Sequence, residues 1–287
     1  MRNPGLKTYM GAVLWAMLLL SPGCVERQLE ERVPDALLSI EFRWPDDFMA
    51  EGVQIWILDG NGSLHTTSLC DASRHELTLP TGIYSIRSVN TGIVNADCVD
   101  TGIIRARKDE TTGLLLNVGN IYCAGAEEIT VQGGVEPVEL VLQHKNLVRT
   151  IRFELNIEEV GEFVKMELQL SGIVPSVRVS DGMDAGEPTG KIGATVRQER
   201  RSGSGTSNTA EISVLGWRGN NLLTGTISRP GGEVESIIPQ DIRSRLDGIP
   251  DSGGSVSFQV KISSGVEIGI SVSVTSWKSG TGIGTVN

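Results

Sequence analysis

The sequence predicts an all-β chain: two tandem Greek-key β-sandwich domains behind an export signal. Three observations predict it. Beyond Ala36 apolar side chains recur at every second position, the period of a half-buried strand and not the 3.6-residue period of a helix. The runs are short and separated by joints rich in Gly, Asn, Asp and Ser, as sandwiches and barrels require. A length of 287 residues suits two domains at about 100–200 residues each.

The N-terminus comes first because it is not fold. Arg2 and Lys7 precede an uncharged apolar run over residues 9–20, followed by Ser21-Pro22-Gly23-Cys24. This is the order of a signal peptide, and the run is shorter than the roughly 20 residues that cross a bilayer. The residues before Cys24 resemble a bacterial lipobox, which implies cleavage after Gly23 and a lipid (palmitate among its chains) on Cys24. An ordinary secretory cut would leave Cys24 a spare thiol. The expected organisation is a signal peptide over 1–23, a lipidated tether over 24–36, an N-terminal sandwich over 37–145 and a C-terminal sandwich over 146–287. The tether is charged and has no apolar period, as a flexible linker would.

In the first half, Leu38, Ile40, Phe42 and Trp44 alternate with polar residues, and Val53, Ile55 and Ile57 do the same. Asp59-Gly60-Asn61-Gly62 supplies residues that tolerate positive φ and turn the chain. Residues 77–86 read as strand, turn, strand around Pro80-Thr81-Gly82. Further strands are expected at 102–106, 112–118, 128–131 and 138–143. A boundary falls near residues 144–146. The second half opens with strands at 150–157 and 164–170, then 193–196, 210–215, 222–227, 255–262 and 266–274. After Pro239, residues 240–246 are the one helical candidate beyond the signal.

Charge and motif searches narrow the function classes. The net charge of −10 becomes more negative when Arg2 and Lys7 leave with the signal, which argues against a nucleic-acid partner. The histidines His65, His75 and His144 have no metal-ligand spacing and read as surface residues; no HExxH or GxSxG motif occurs. The Asp59 turn lacks the remaining ligands of a calcium loop, Cys70 standing at its twelfth position. Asp181 and Asp184 form a loop that a cation could occupy, but a solvated loop is the plainer reading. Gly280 to Gly284 sits too close to the C-terminus for a helix to complete a phosphate loop. Neither a catalytic set, a cofactor nor a metal is expected. The exported thiols Cys70, Cys98 and Cys123 could form one disulfide or remain free. Trp44 is in register with the core, Trp56 is out of register and suits an exposed or interdomain place, and Trp217 and Trp277 end strands; packing is expected for most of them.

Leu79-Pro80-Thr81-Gly82-Ile83-Tyr84-Ser85-Ile86 is similar to the strand-turn-strand of transthyretin-like β-sandwich domains. With the lipid signal, the strand Val53 to Gly62, the segments 146–153 and 167–173, and the terminal run 270–277, the chain resembles FimB-type fimbrial anchor and accessory subunits of Bacteroidales. The resemblance implies tandem transthyretin-like domains, no catalysis, pilin-like fimbrial subunits as partners, strand-mediated contacts, and a lipid-anchored place on the outer membrane. It makes residues 265–277 a candidate donor or edge strand, against an ordinary internal one. The alternative is a glycan-binding outer-membrane lipoprotein of a polysaccharide-uptake system, which would stack sugars on exposed tryptophans.

Overall fold

The computed structural model describes residues 35–45, 48–134, 136–158, 162–200, 206–247, 249, 254–263 and 269–279. The signal, the tether and Cys24 lie outside them. Strands are numbered in chain order. In the first half a three-stranded sheet has the order β4 (Arg74–Pro80), β1 (Asp35–Arg43), β9 (Val138–Gln143). A five-stranded sheet faces it, ordered β10 (Lys145–Asn146), β8 (Tyr122–Val131), β5 (Gly82–Asn90), β2 (Val53–Asp59), β3 (Leu64–Cys70). The alternating residues Leu38, Ile40 and Phe42 of β1 meet Val53, Ile55 and Ile57 of β2 in one buried cluster.

The second half repeats the plan. One sheet runs β15 (Arg197–Arg200), β16 (Thr206–Val214), β11 (Arg149–Glu158), β19 (Gly254–Ser263), β20 (Gly269–Ser279); the other runs β14 (Gly190–Thr195), β12 (Lys165–Ile173), β17 (Leu222–Ser228), β18 (Val234–Asp241). Phe153 and Phe258 stack at 5.9 Å in its core. The wiring is the same in both halves. β1 lies between antiparallel β4 and parallel β9, and β11 lies between antiparallel β16 and parallel β19.

A fifth sheet joins residues from either side of position 146: β13 (Ser176–Arg178), β7 (Ile103–Ala106), β6 (Ala96–Val99). Its β6 and β7 belong to an excursion between β5 and β8 that covers the outer face of the five-stranded first-half sheet. Trp56, Val89 and Cys123 point to that face and share a buried cluster with Val177, Ile192 and Ile212. Backbone bonds tie the excursion to the second half: Ala106 N–H to Pro175 O, Leu115 N–H to Lys191 O, and Val118 N–H to Ser213 O.

Two local readings change, and one gains its place in the fold. The strand expected over 112–118 is absent; the Asp109 carboxylate caps a turn by accepting from Thr111 and Thr112, and the following backbone bonds outward to Lys191 and Ser213. The Pro80-Thr81-Gly82 turn joins two strands as read, and the two do not pair with each other: β4 pairs with β1 while β5 pairs with β2 and β8. It is a corner between sheets, held by the Tyr84 hydroxyl donating to Pro80 O at 2.9 Å. The helical candidate contracts to α1 (Arg243–Leu246), whose Leu246 is buried.

Candidate functional site

The histidines divide. His65 is exposed and His75 half-buried, but His144 is 2% exposed, contrary to the surface reading. Its position just after β9 turns it into the end of the first sandwich. There Trp44 stacks on it at 3.8 Å and Phe42 meets it edge-on at 5.9 Å, while Phe48 stacks on Tyr122 at 3.9 Å. The Ser88 hydroxyl is 3.0 Å from His144 Nε2 and 3.2 Å from Ala124 O. Ser88 and Nε2 share this hydrogen bond, its donor set by the tautomer of the ring. Burial pulls the imidazole pKa down to about 4. A serine beside a histidine suggests a nucleophile and base, but no carboxylate bonds Nδ1, and Ser88 is 0% exposed. The pair closes a core.

The thiols Cys70, Cys98 and Cys123 are free. Cys70 ends edge strand β3, Cys98 is exposed in β6 and Cys123 is fully buried in β8. Burial pushes Cys123 up to about 12 and, with Asp71 nearby, Cys70 to about 11, so neither is a thiolate at neutral pH. Two strands separate β3 from β8, which places them about 14 Å apart, beyond disulfide reach.

A cleft of about 290 Å³ lies where the chain passes from β10 to β11, beside Trp217 and the 181–184 loop. The loop carboxylates are already spent. Asp181 pairs with Arg178 at 2.6 Å and Asp184 with Arg218 at 2.5 Å. Burial alone would raise the Asp181 carboxyl, but the bonds from Arg178 and the Met183 N–H outweigh it and hold it low. Among the described residues no group of three or more metal-ligating side chains converges.

The tryptophans pack. Trp56, the one out of register, is 7% exposed and lies in the cluster that spans the two halves. Trp44 has a face on His144 and gives its Nε1–H to Ala72 O at 2.7 Å. The Arg149 guanidinium covers a face of Trp217 at 4.7 Å. None of these three forms a pair of open, coplanar rings. The Trp277 side chain, the 280–284 segment and Arg201 lie outside the described residues. β20 is an edge strand, paired only to β19 within its sheet. Sequence reasoning missed the Ser88–His144 contact, since nothing in the spacing of positions 88 and 144 announces it; Trp44 in register one residue past β1 was the available signal.

Solved structures share this architecture over most of their length. A candidate adhesin from Bacteroides ovatus aligns with a TM-score of 0.63 at 13% identity, over 78% of this chain and 89% of its own. The fimbrial anchor protein Mfa2 from Porphyromonas gingivalis aligns at 0.58 and 12%, over 85% and 98%. A candidate polysaccharide-binding protein from Bacteroides thetaiotaomicron aligns at 0.57 and 10%, over 84% and 98%. No family model and no curated protein matches the chain by sequence. At these identities the likeness is one of fold: this chain is all-β, with the multi-sheet sandwich architecture of those proteins.

Proposed function

We propose that this chain is a non-catalytic, lipid-anchored subunit of a surface adhesive fibre, a fimbrial anchor or accessory subunit. The observation that carries the reading is the shared architecture with a fimbrial anchor protein across 98% of that protein's length. It agrees with a signal ending in Cys24, where a lipid would hold the mature chain to the outer membrane. Strands at sheet edges, β3 and β20 among them, are the surfaces through which pilin-like subunits would pair, backbone bonds giving affinity and side-chain alternation giving register. The test is purification of the tagged full chain, crosslinked in its native envelope, with and without Cys24→Ala. Pilin-like subunits are expected to co-purify, and a palmitate label is expected on the parent alone. Purification from an intact fimbrial locus with no pilin-like partner removes the reading.

A further inference from the structure

A groove of about 510 Å³ opens where β14, β15 and β16 meet, lined by Arg152, Arg197, Glu211, Thr195 and Asn117. Three groups lining it lack a strand or ion-pair partner among the described residues, or leave a donor open. The chain leaves β14 at Val196, whose N–H goes back to Met166 O, and joins β16 only at Arg197, opposite Thr209. Further along the same edge, Ser213 is held by the first half: it donates to Asn117 Oδ1 and accepts from Val118 N–H. Every second residue of a strand turns its backbone groups to the same edge. Glu211 therefore lies between the two attachments with N–H and C=O toward the groove, and no strand pairs with it there. Arg197 makes no ion pair with a described carboxylate, whereas Arg105, Arg178, Arg218 and Arg229 each do. Arg152 has a buried Nε with no hydrogen-bond acceptor, and the carboxylate paired with it, Glu154, stands 3.9 Å away.

We propose that this groove captures the free C-terminal end of an extended peptide, whose last residue pairs with the Glu211 backbone while its carboxylate meets Arg152 and Arg197. A through-running strand does not fit, because the gap in the ladder is closed by Asn117 at one end and Arg197 at the other. A chain end needs no continuation. Guanidinium groups hold carboxylates through paired N–H donors, and two arginines against one glutamate favour an anion over an ammonium group. The open backbone pair selects a peptide over a sugar acid, which has no N–H and C=O at strand spacing. The proposal goes beyond the fimbrial reading and stands without it.

The test uses the full chain in detergent and saturation-transfer NMR. The probes are N-acetylated Thr-Val-Thr-Val as free acid, the same peptide as C-terminal amide, and galacturonate. The acid is expected to bind saturably and the amide about tenfold more weakly. Arg197→Gln and Arg152→Gln each weaken the acid several-fold and leave the amide unaltered, while Arg245→Gln on α1 changes neither. Arg197 is exposed and makes no ion pair among the described residues, so its variant keeps the test decisive should Arg152→Gln fail to fold. Equal binding of acid and amide, no saturable binding of the acid, or binding of galacturonate in its place each overturns the proposal.

Discussion

His144 shows how one side chain sets a pH dependence. Its ring is sealed between Trp44 and Phe42, and its pKa falls from 6.5 to about 4 because the buried site disfavours the charged form. Above pH 6.5 the imidazole is neutral in the folded and unfolded chains, and its contribution is at its full value. As pH falls from 6.5 toward 4 the unfolded chain binds a proton that the folded chain refuses, so stability is lost; below 4 both are charged and the loss levels off. The size of the loss is on the order of 3 kcal/mol. Urea unfolding of the parent and of His144→Gln at intervals between pH 4 and 7 checks it: the parent midpoint is expected to fall more steeply than the variant's, and parallel curves would contradict the burial argument. Thiol accessibility offers an independent residue-scale measurement. In a Cys24→Ala chain, Ellman's reagent is expected to reach Cys98 at once, Cys70 slowly and Cys123 only in denaturant, following their exposure. Prompt labelling of Cys123 would contradict the packing of β8.

At the scale of elements, the bulge in β12 carries a sharper prediction. The register against β14 slips between Ser171 and Ile173, and Gly172 takes φ +75° at the slip. A Cβ there would collide with Asn221 Nδ2 and come within 2.6 Å of Asn220 O, inside a cradle where Asn221 donates to Ser171 O and Arg218 N–H to Gly172 O. Gly172→Ala is expected to cost about 2 kcal/mol or more, from backbone strain and collision together. Gly62→Ala, at φ +78° with open space around the added carbon, should cost about 1 kcal/mol. Equal losses in chemical denaturation would remove the collision. The same elements show what a sequence makes legible. β1, β11 and β12 were readable because one face is buried and the other wetter, so that apolar residues fall at every second place, whereas β2 is covered on both faces and carries Trp56 on the second. Leu114-Leu115-Leu116 misled, because apolar side chains report burial and not pairing; there the backbone bonds to Lys191 instead of to a ladder. β3, β6, β13 and β15 are short or edge strands with little apolar alternation to announce them, and the partner of β13, β7, lies far along the chain. The groove at Glu211 was invisible for the same reason, being a gap between a loop near Asn117 and a strand in the other half. The Tyr84 corner was visible as a motif, but which sheets it joins was not.

At the scale of the molecule, the issue is whether the two sandwiches are independent. The ladders change hands near residue 146, yet the hydrophobic clusters do not. Trp56, Val89, Ile104, Ile121 and Cys123 precede that point and are buried in the same cluster as Phe153 and Met166, which follow it. Sheet pairing between β7 and β13 and an ion pair from Arg105 to Glu187 cross the same junction. Force applied at either end would have to break several strand bonds together before the halves could part. We therefore propose two sandwiches that fold as one cooperative body. The full chain is expected to unfold in a single transition, with tryptophan fluorescence and far-ultraviolet circular dichroism coinciding. A fragment ending at residue 146 would lose the cover over Trp56 and its neighbours. Each large apolar side chain so exposed forfeits about 1.5–3 kcal/mol, and a few of them are enough to exhaust the stability of a domain this size. The fragment is expected to aggregate or to bind a hydrophobic dye, and adding the fragment from residue 147 onward should restore strand signal and quench that binding. A first-half fragment that unfolds cooperatively alone, at the midpoint it shows in the full chain, would mean that the shared cluster contributes nothing to holding the halves together.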